Sequence, residues 1–209
     1  PKALVEVAGR PMIEHVMDDV LEHTDEFVIV VGYEGVQIIE HIGWKYEGVD
    51  VKYVSQDEQL GLAHAIRQAK PYLDDTFAIA LADSFHFGAV DDVFGTVASG
   101  AVLLEEVPAE EASRYGIATV DPDGLVVELT EKPDDPPSNL ALTGLAVMPE
   151  EFMYAAHVTE PSDRGEYEWT DVINQLIEAG CDIEACVLES ERVDVGYPED
   201  IDEVERLLE

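Results

Sequence analysis

Helical and strand-like periods alternate along the first half of this chain, and few architectures tolerate that alternation. Ile13, Val16, Met17, Val20 and Leu21 recur at helical spacing behind Pro11, a favourable first-turn residue. The next segment, "FVIVVGY", is short, apolar and closed by a glycine, as buried strands are. The pattern then repeats. "EGVQIIEHI" reads as helix, "VKYVSQ" as strand, "LGLAHAIRQAK" as helix, "FAIALAD" as strand, "VDDVFGTVA" as helix and "AVLLEEV" as strand. Strands interleaved with helices predict crossover units, and hence a Rossmann-like α/β fold: a doubly wound, mostly parallel sheet flanked by helices.

The second half departs from this rhythm. "YGIATVDPDGLVVELTEKP" holds two alternating runs around "DPDG", which predicts an antiparallel hairpin turning at Gly124. Beyond the loop "DDPPSN" come a strand "LALTGLAVM", helices near residues 150–157 and 169–180, a strand "IEACVL" and a last helix opened by Pro198. The expected sheet is therefore mixed, with the hairpin as an insertion. No repeat is present and no linker is long enough to force a second unit, so residues 1–209 are expected to form a single domain.

Charge narrows the partners. The chain sets 47 Asp and Glu against 11 Lys and Arg, a formal charge of −36. That field repels nucleic-acid phosphates and anionic membrane surfaces, so no nucleic acid and no membrane is expected as partner. The acids are interleaved with the apolar periodicity rather than gathered in a tail, which argues for a folded chain with a carboxylate-rich surface. Such a surface is tolerated where salt shortens the Debye length to about 3 Å at 1 M, so a halophilic, cytoplasmic setting is expected. Any lysine or arginine retained in this background is expected to have a specific partner. Cys181 and Cys186 lack CxxC spacing and read as free buried thiols. No apolar run reaches the ~20 residues that span a bilayer.

In open α/β sheets, ligands bind beyond the carboxyl ends of the strands. Asp83 directly follows "FAIALA", and Asp194 belongs to a shorter strand-like stretch, "RVDVG". A lone carboxylate there is as readily a turn or a helix cap. Two at strand ends suit a hard cation such as Mg²⁺, which takes one or two carboxylates and completes its shell with phosphate and water. Lys132, in "LTEKPDD", stands beside Pro133 on a stiffened backbone; it is either a surface lysine paired with acidic neighbours or a fixed ammonium for a phosphate. Arg164, in "SDRGEYEWTD", is either solvated or forked onto phosphate. The six histidines show no metal or triad spacing.

Several segments together carry a resemblance. "PKALVEVAGRPMIEHV", "QDEQLGLAHAI", "LADSFHFG", "YGIATVD", "TEKP", "TGLAVM", "RGEYEWTDVINQLIEAG" and "DVGYPEDI" follow the order and spacing of the sugar-1-phosphate nucleotidylyltransferases. Over essentially its whole length the chain resembles their glucose-1-phosphate thymidylyl- and uridylyltransferase branch. In that family the proline-lysine pair follows a first strand and a glycine-rich loop of the form GxGTRLxPLT, which wraps the nucleotide phosphates. The resemblance implies that roughly 20 residues ahead of Pro1 are missing here.

The resemblance also implies roles. Lys2 matches a lysine that neutralises the nucleoside triphosphate, Gln56 a glutamine that reads the pyrimidine base, and Gly61 a glycine whose backbone lies against that base. Asp83 and Asp194 match the paired metal-binding aspartates, with Mg²⁺ as cofactor. Gly116, Glu131, Lys132 and Thr143 match positions around the sugar phosphate, and Arg164 a phosphate contact. Glu166 and Glu168 read equally as site residues and as acids placed ahead of a helix N-terminus. The chain departs from the family at four positions. Ala82-Asp83-Ser84 stands where the family commonly has Gly-Asp-Asn, and Ser84 exchanges an amide that contacts sugar hydroxyls for a shorter hydroxyl. Ala146 replaces a common tyrosine and Arg192 a common tryptophan, so a less aromatic sugar pocket is expected.

The implied reaction is attack by a sugar-1-phosphate, glucose-1-phosphate first among candidates, on the α-phosphate of UTP or dTTP, releasing pyrophosphate. Lys2, Asp83 and Lys132 would carry it through alignment and charge neutralisation. The residues leave open a non-sugar phosphate acceptor, or a protein that binds nucleotide or sugar phosphate without turnover. They fix no oligomeric state and leave a homo-oligomer open.

Overall fold

Leu140–Pro149, ten residues without one exposed side chain, runs through the middle of the main sheet. The structure, a computed structural model, describes residues 1–87, 90–96, 98–189, 192–195 and 198–208. Gly88, Gly196 and Tyr197 of the motifs quoted above lie outside the described residues. In chain order the elements begin with β1 (Glu6–Val7), β2 (Arg10–Pro11), α1 (Met12–Val20), β3 (Glu26–Val31), α2 (Gly35–Ile42), β4 (Lys45–Tyr46) and β5 (Val49–Ser55). Then come α3 (Leu62–Ala69), β6 (Thr76–Ala80), β7 (Ser84–His86), α4 (Asp91–Phe94), β8 (Gly100–Glu106), β9 (Gly116–Val120) and β10 (Val126–Glu131). The last are β11 (Leu140–Pro149), α5 (Glu151–Val158), α6 (Trp169–Glu178), β12 (Ile183–Val187), β13 (Arg192–Asp194) and α7 (Pro198–Leu208).

The main sheet runs β10-β9-β11-β8-β12, with β6 also on β11. Its two faces are both covered, as a doubly wound sheet requires. On β8, Val102 and Leu104 pack with Phe152 of α5 and Ile173 of α6, while Ala101 and Leu103 pack oppositely with Val20 of α1 and Val93 of α4. On β11, Ala146 and Met148 face the first layer, Leu145 and Val147 the second. This is the period-2 alternation of a strand expressed as two cores. Phe152, fully buried, meets the Phe77 ring edge-on at 5.9 Å. Side chains buried this completely contribute roughly 1.5–3 kcal/mol each, and the layers stand on them.

The mixed α/β sheet and its hairpin are as expected. The hairpin β9–β10 is antiparallel and turns at Gly124, whose φ of +84° is the conformation glycine adopts without strain. The balance of strand directions differs from the expectation of a mostly parallel sheet. Among the described residues only β3/β5 and β12/β8 form parallel ladders. The reason is β11. Both β6 and β8 run antiparallel to it, so they are parallel to each other, as a strand–helix–strand unit demands, yet β11 separates them. The expected helix "VDDVFGTVA" is cut to Asp91–Phe94, where the Gly95 N–H closes the turn onto the Asp91 and Asp92 carbonyls.

Two smaller units complete the molecule. The sheet β3-β5-β4 packs on α1 and α2 through Ile13, Met17, Ile38 and Ile42. The ribbon β7/β13 rests on Val7, Met12 and Val204 through Phe85, Val193 and Val195. Cys181 and Cys186 are free, and burial pushes the Cys186 thiol up to about 11, which leaves it unreactive near neutral pH. Among the described residues no helix is long and apolar enough to cross a membrane.

Candidate active site

The ribbon β7/β13 brings two distant carboxylates to one place. Ser84 faces Asp194 in its register, and Val195 N–H donates to the Asp83 carbonyl at 3.0 Å, so Asp83 and Asp194 leave the ribbon together. Ser84, buried, donates through Oγ to Asp194 Oδ1 at 2.6 Å. Each aspartate carries a cation: Lys2 Nζ lies 2.5 Å from Asp83 Oδ2, and Arg192 Nη1 contacts Asp194 Oδ2. Arg192 is further bound through Nε and Nη2 to Glu105 Oε1 at 2.9 and 2.6 Å, and lies over the Tyr115 ring. Burial works against its charge, but Asp194 and Glu105 more than offset this and hold the guanidinium protonated.

The facing wall is built from the hairpin. Asn174 of α6 clamps β10, its Oδ1 accepting from Leu129 N–H at 2.8 Å and its Nδ2 donating to Leu129 O at 2.7 Å. That clamp satisfies an edge strand and fixes the strand end at Glu131, with Lys132 next. Lys132 sits at φ +43°, a left-handed conformation that destabilises a non-glycine residue by about 1 kcal/mol, and its N–H is tied to the Tyr115 carbonyl at 3.0 Å. Strain held in place this way marks positions where geometry outranks stability. Arg164 Nη1 lies 3.4 Å from both Glu131 Oε1 and Glu168 Oε1. Burial, reinforced by Glu168, pushes the Glu131 carboxyl above its ordinary range despite Lys132 and Arg164. A register shift in β11 between Leu142 and Ala146 breaks the ladder at Thr143 and Gly144, where the strand passes the cleft.

These parts enclose a cleft of about 350 Å³. A larger cavity of about 1010 Å³ adjoins it, sharing Tyr115, Arg192 and Asp194, but Glu105, Glu106, Glu111, Glu189 and Glu203 line it. The smaller space is the one suited to an anion, because Lys2, Arg114, Lys132, Arg164 and Arg192 line it, whereas the acids of the larger one repel anions. Residues 1–209 match the nucleotidyl transferase family.

This chain belongs to that family.

As a nucleotidyl transferase it is 40% identical over 214 residues to the UTP--glucose-1-phosphate uridylyltransferase AglF of Haloferax volcanii, covering 100% of this chain and 88% of that protein. It is 36% identical over 215 residues to a glucose-1-phosphate thymidylyltransferase of Streptomyces antibioticus, covering 99% of this chain but only 60% of that protein. The crystal structure of a UDP-glucose pyrophosphorylase complexed with UDP-glucose has the same fold, with a TM-score of 0.90 at 24% identity over 100% of this chain and 90% of the other. The likeness to sugar-1-phosphate nucleotidylyltransferases drawn from the sequence motifs therefore holds.

Most of the residues singled out in the sequence of this nucleotidyl transferase share the cleft. Lys2, Asp83, Ser84 and Asp194 line it together with Gly116, Glu131, Lys132, Thr143 and Arg164. Glu166 and Glu168 line it too. Thr143 is fully buried and donates its hydroxyl to the Leu103 carbonyl at 3.0 Å. Gln56 and Gly61 stand apart from the rest. Gln56 follows β5 and donates through Nε2 to the Gly61 carbonyl at 3.3 Å. Gly61, at φ +107°, precedes α3, and a Cβ there would lie 2.6 Å from the Tyr167 carbonyl oxygen, so only glycine fits. Leu62, the next residue, does line the cleft.

Ala146 is not a pocket residue. It packs in the core with Val102 and Ile173, so its small side chain does not thin the aromatic lining of the cleft as expected. Arg192 does line it, in the heart of the carboxylate pair. Glu105 and Tyr115 carry Arg192 and were not legible in the sequence. One signal pointed to the arginine: two residues from Asp194 on a strand, it must share that residue's side of the ribbon.

Proposed function

We propose that this nucleotidyl transferase moves a nucleotidyl group from UTP or dTTP to a sugar-1-phosphate, with glucose-1-phosphate as acceptor, giving a nucleoside-diphosphate sugar and pyrophosphate. The observation that carries this reading is the convergence of Asp83 and Asp194 with Lys2, Lys132 and Arg164 on one cleft. The names of the uridylyl- and thymidylyltransferase relatives support the substrate class. The −36 charge supports a halophilic cytoplasm as the setting.

A sugar-phosphate oxygen attacks the α-phosphorus, an O–P bond forms, and the bond to the β-phosphate breaks with its electron pair leaving on pyrophosphate. The nucleophile is already an anion, so no proton must be removed; accordingly, no histidine lines the cleft among the described residues. What the reaction needs is relief of repulsion between two phosphates and their alignment in line. Lys132 and Arg164 rest on Glu131 and Glu168, so an arriving sugar phosphate exchanges with an anionic partner already there. Lys2, half exposed, swings from Asp83 to the triphosphate. Among the described residues no cluster of three or more metal-ligating side chains gathers, but the Asp83–Asp194 pair fits Mg²⁺, which typically takes one or two carboxylates. Mg²⁺ held there supplies positive charge to the phosphates. Gln56 and Gly61 are assigned to the pyrimidine base, Ser84, Gly116 and Thr143 to the sugar phosphate side.

The test is pyrophosphate release across UTP, dTTP, CTP and ATP, each with glucose-1-phosphate, galactose-1-phosphate and a polyol phosphate, in Mg²⁺ and high salt. Turnover is expected with a pyrimidine nucleotide and a hexose-1-phosphate. Activity confined to the polyol phosphate, or binding without turnover, overturns the reading.

A further inference from the structure

Among the cations that line the cleft the proposed reaction leaves Arg114 and Arg192 unused, and Arg192 is the buried one of the two. Its side chain is 2% exposed, against 51% for Lys2. Three contacts anchor it: Glu105 Oε1 takes Nε and Nη2 at 2.9 and 2.6 Å, the Tyr115 ring centroid lies 5.3 Å away, and Asp194 Oδ2 takes Nη1. The two aspartates are therefore not equivalent. Asp83 is held by an exposed lysine on a flexible stem, which leaves at little cost. Asp194 is held by a guanidinium that cannot withdraw without leaving Glu105, 14% exposed, as an uncompensated buried charge.

We infer that Arg192 is a positioning residue that keeps Asp194 aligned and, by staying beside it, holds the divalent-cation site weak until phosphate arrives. The inference rests on the reading of Asp83 and Asp194 as the metal pair. Without substrate, Lys2 and Arg192 offset two of the three carboxylates they touch, Asp83, Asp194 and Glu105, so Arg192 lowers the negative charge that draws a cation. Bound phosphate adds negative charge, and Lys2 moves to it while Arg192 stays. A bare pair of carboxylates in concentrated salt would instead fill with whatever cation is abundant. The same guanidinium stacks on Tyr115, whose carbonyl fixes Lys132, so the carboxylate side and the sugar-phosphate side share one support.

Calorimetric titration of Mg²⁺ into the substrate-free protein, at fixed high ionic strength, tests this in the wild type and in Arg192→Gln. The amide keeps a donor for Asp194 and removes the charge. Substrate-free affinity should tighten roughly five- to tenfold, the effect of one unit charge a few ångströms away after screening. Should Arg192→Gln fail to fold, the Glu105→Gln/Arg192→Gln double variant, which removes both buried charges, decides by the same sign with a smaller shift. Unchanged or weaker affinity in a folded variant overturns the inference. Asp83→Asn separates the two readings. If it leaves Mg²⁺-dependent turnover intact, the metal-pair reading fails; if it abolishes turnover while the Arg192 variants bind Mg²⁺ like the wild type, only this inference fails.

Discussion

Ser84 Oγ donates a 2.6 Å hydrogen bond to Asp194 Oδ1, joining two residues that face each other across the β7–β13 ladder. Ser84 is 2% exposed, so water cannot replace the donor in Ser84→Ala. A lost hydrogen bond to a charged group is worth about 1.5–3 kcal/mol. Ser84→Ala should lower stability by that order in urea denaturation and reduce kcat at least tenfold. Full activity in the alanine variant would show that Asp194 needs no such support.

Asp83 behaves differently because its partner is exposed. The Lys2–Asp83 pair is a surface ion pair, and such pairs contribute ~0–1 kcal/mol. Asp83→Asn should therefore abolish Mg²⁺-dependent pyrophosphate release while leaving the melting temperature within a few degrees of the wild type. Retained turnover refutes the assigned role; a collapsed melting curve refutes the energetic argument.

Lys132 combines strain with charge. Lys132→Ala keeps the left-handed backbone of a non-glycine residue, whereas Lys132→Gly relieves it, so the glycine variant should be more stable than the alanine variant by about 1 kcal/mol. Both should raise KM for the sugar phosphate by about 10- to 100-fold, the loss of a charge-assisted contact. Equal stability of the two variants would mean that the loop relaxes its strain in the alanine variant, and an unmoved KM would take the ammonium out of the site.

The Glu131 carboxyl is raised by burial and by Glu168, which sets the sign of a pH effect. Below the ordinary value of 4.5 the group is protonated in folded and unfolded chains alike, and it contributes nothing. As pH rises past that value the unfolded chain ionises first, so stability falls until the folded pKa is passed, then levels. Glu131→Gln should remove this decline: its urea midpoint should gain on the wild type between pH 4.5 and neutrality. Parallel curves for the two proteins would contradict the assignment.

Salt should matter to the whole molecule. With a charge of −36, dilution from 3 M to 0.1 M salt lengthens the Debye length from under about 3 Å to about 10 Å and lets surface carboxylates repel one another. Loss of helical circular dichroism and of activity on dilution is expected. A protein equally helical and active at low salt would sink the halophile reading.

The local elements were legible because they rest on local chemistry. α1, α6, β3 and β8 follow from apolar periods of 3.6 and 2, and the β9–β10 turn from "DPDG" around Gly124. The short pieces were not. β7 is three residues and β1 and β2 two, and none holds a period long enough to read; β13, also three residues, showed as the strand-like "RVDVG" but without its partner. Yet the ribbon of β7 and β13 is what joins Asp83 to Asp194.

What the sequence determined by itself was the menu: the helices and strands, the excess of carboxylates, and residues whose order along the chain resembles one enzyme family. Tertiary structure decided which of them meet. It placed β11 between β6 and β8, turned Ala146 into the core, committed the Thr143 hydroxyl to a backbone carbonyl, and set Arg192 between Glu105 and Asp194. The physical reason is range. Backbone preference acts over a few residues, whereas the charge balance of a buried site sums contributions from strands that only the folded chain brings within a few ångströms.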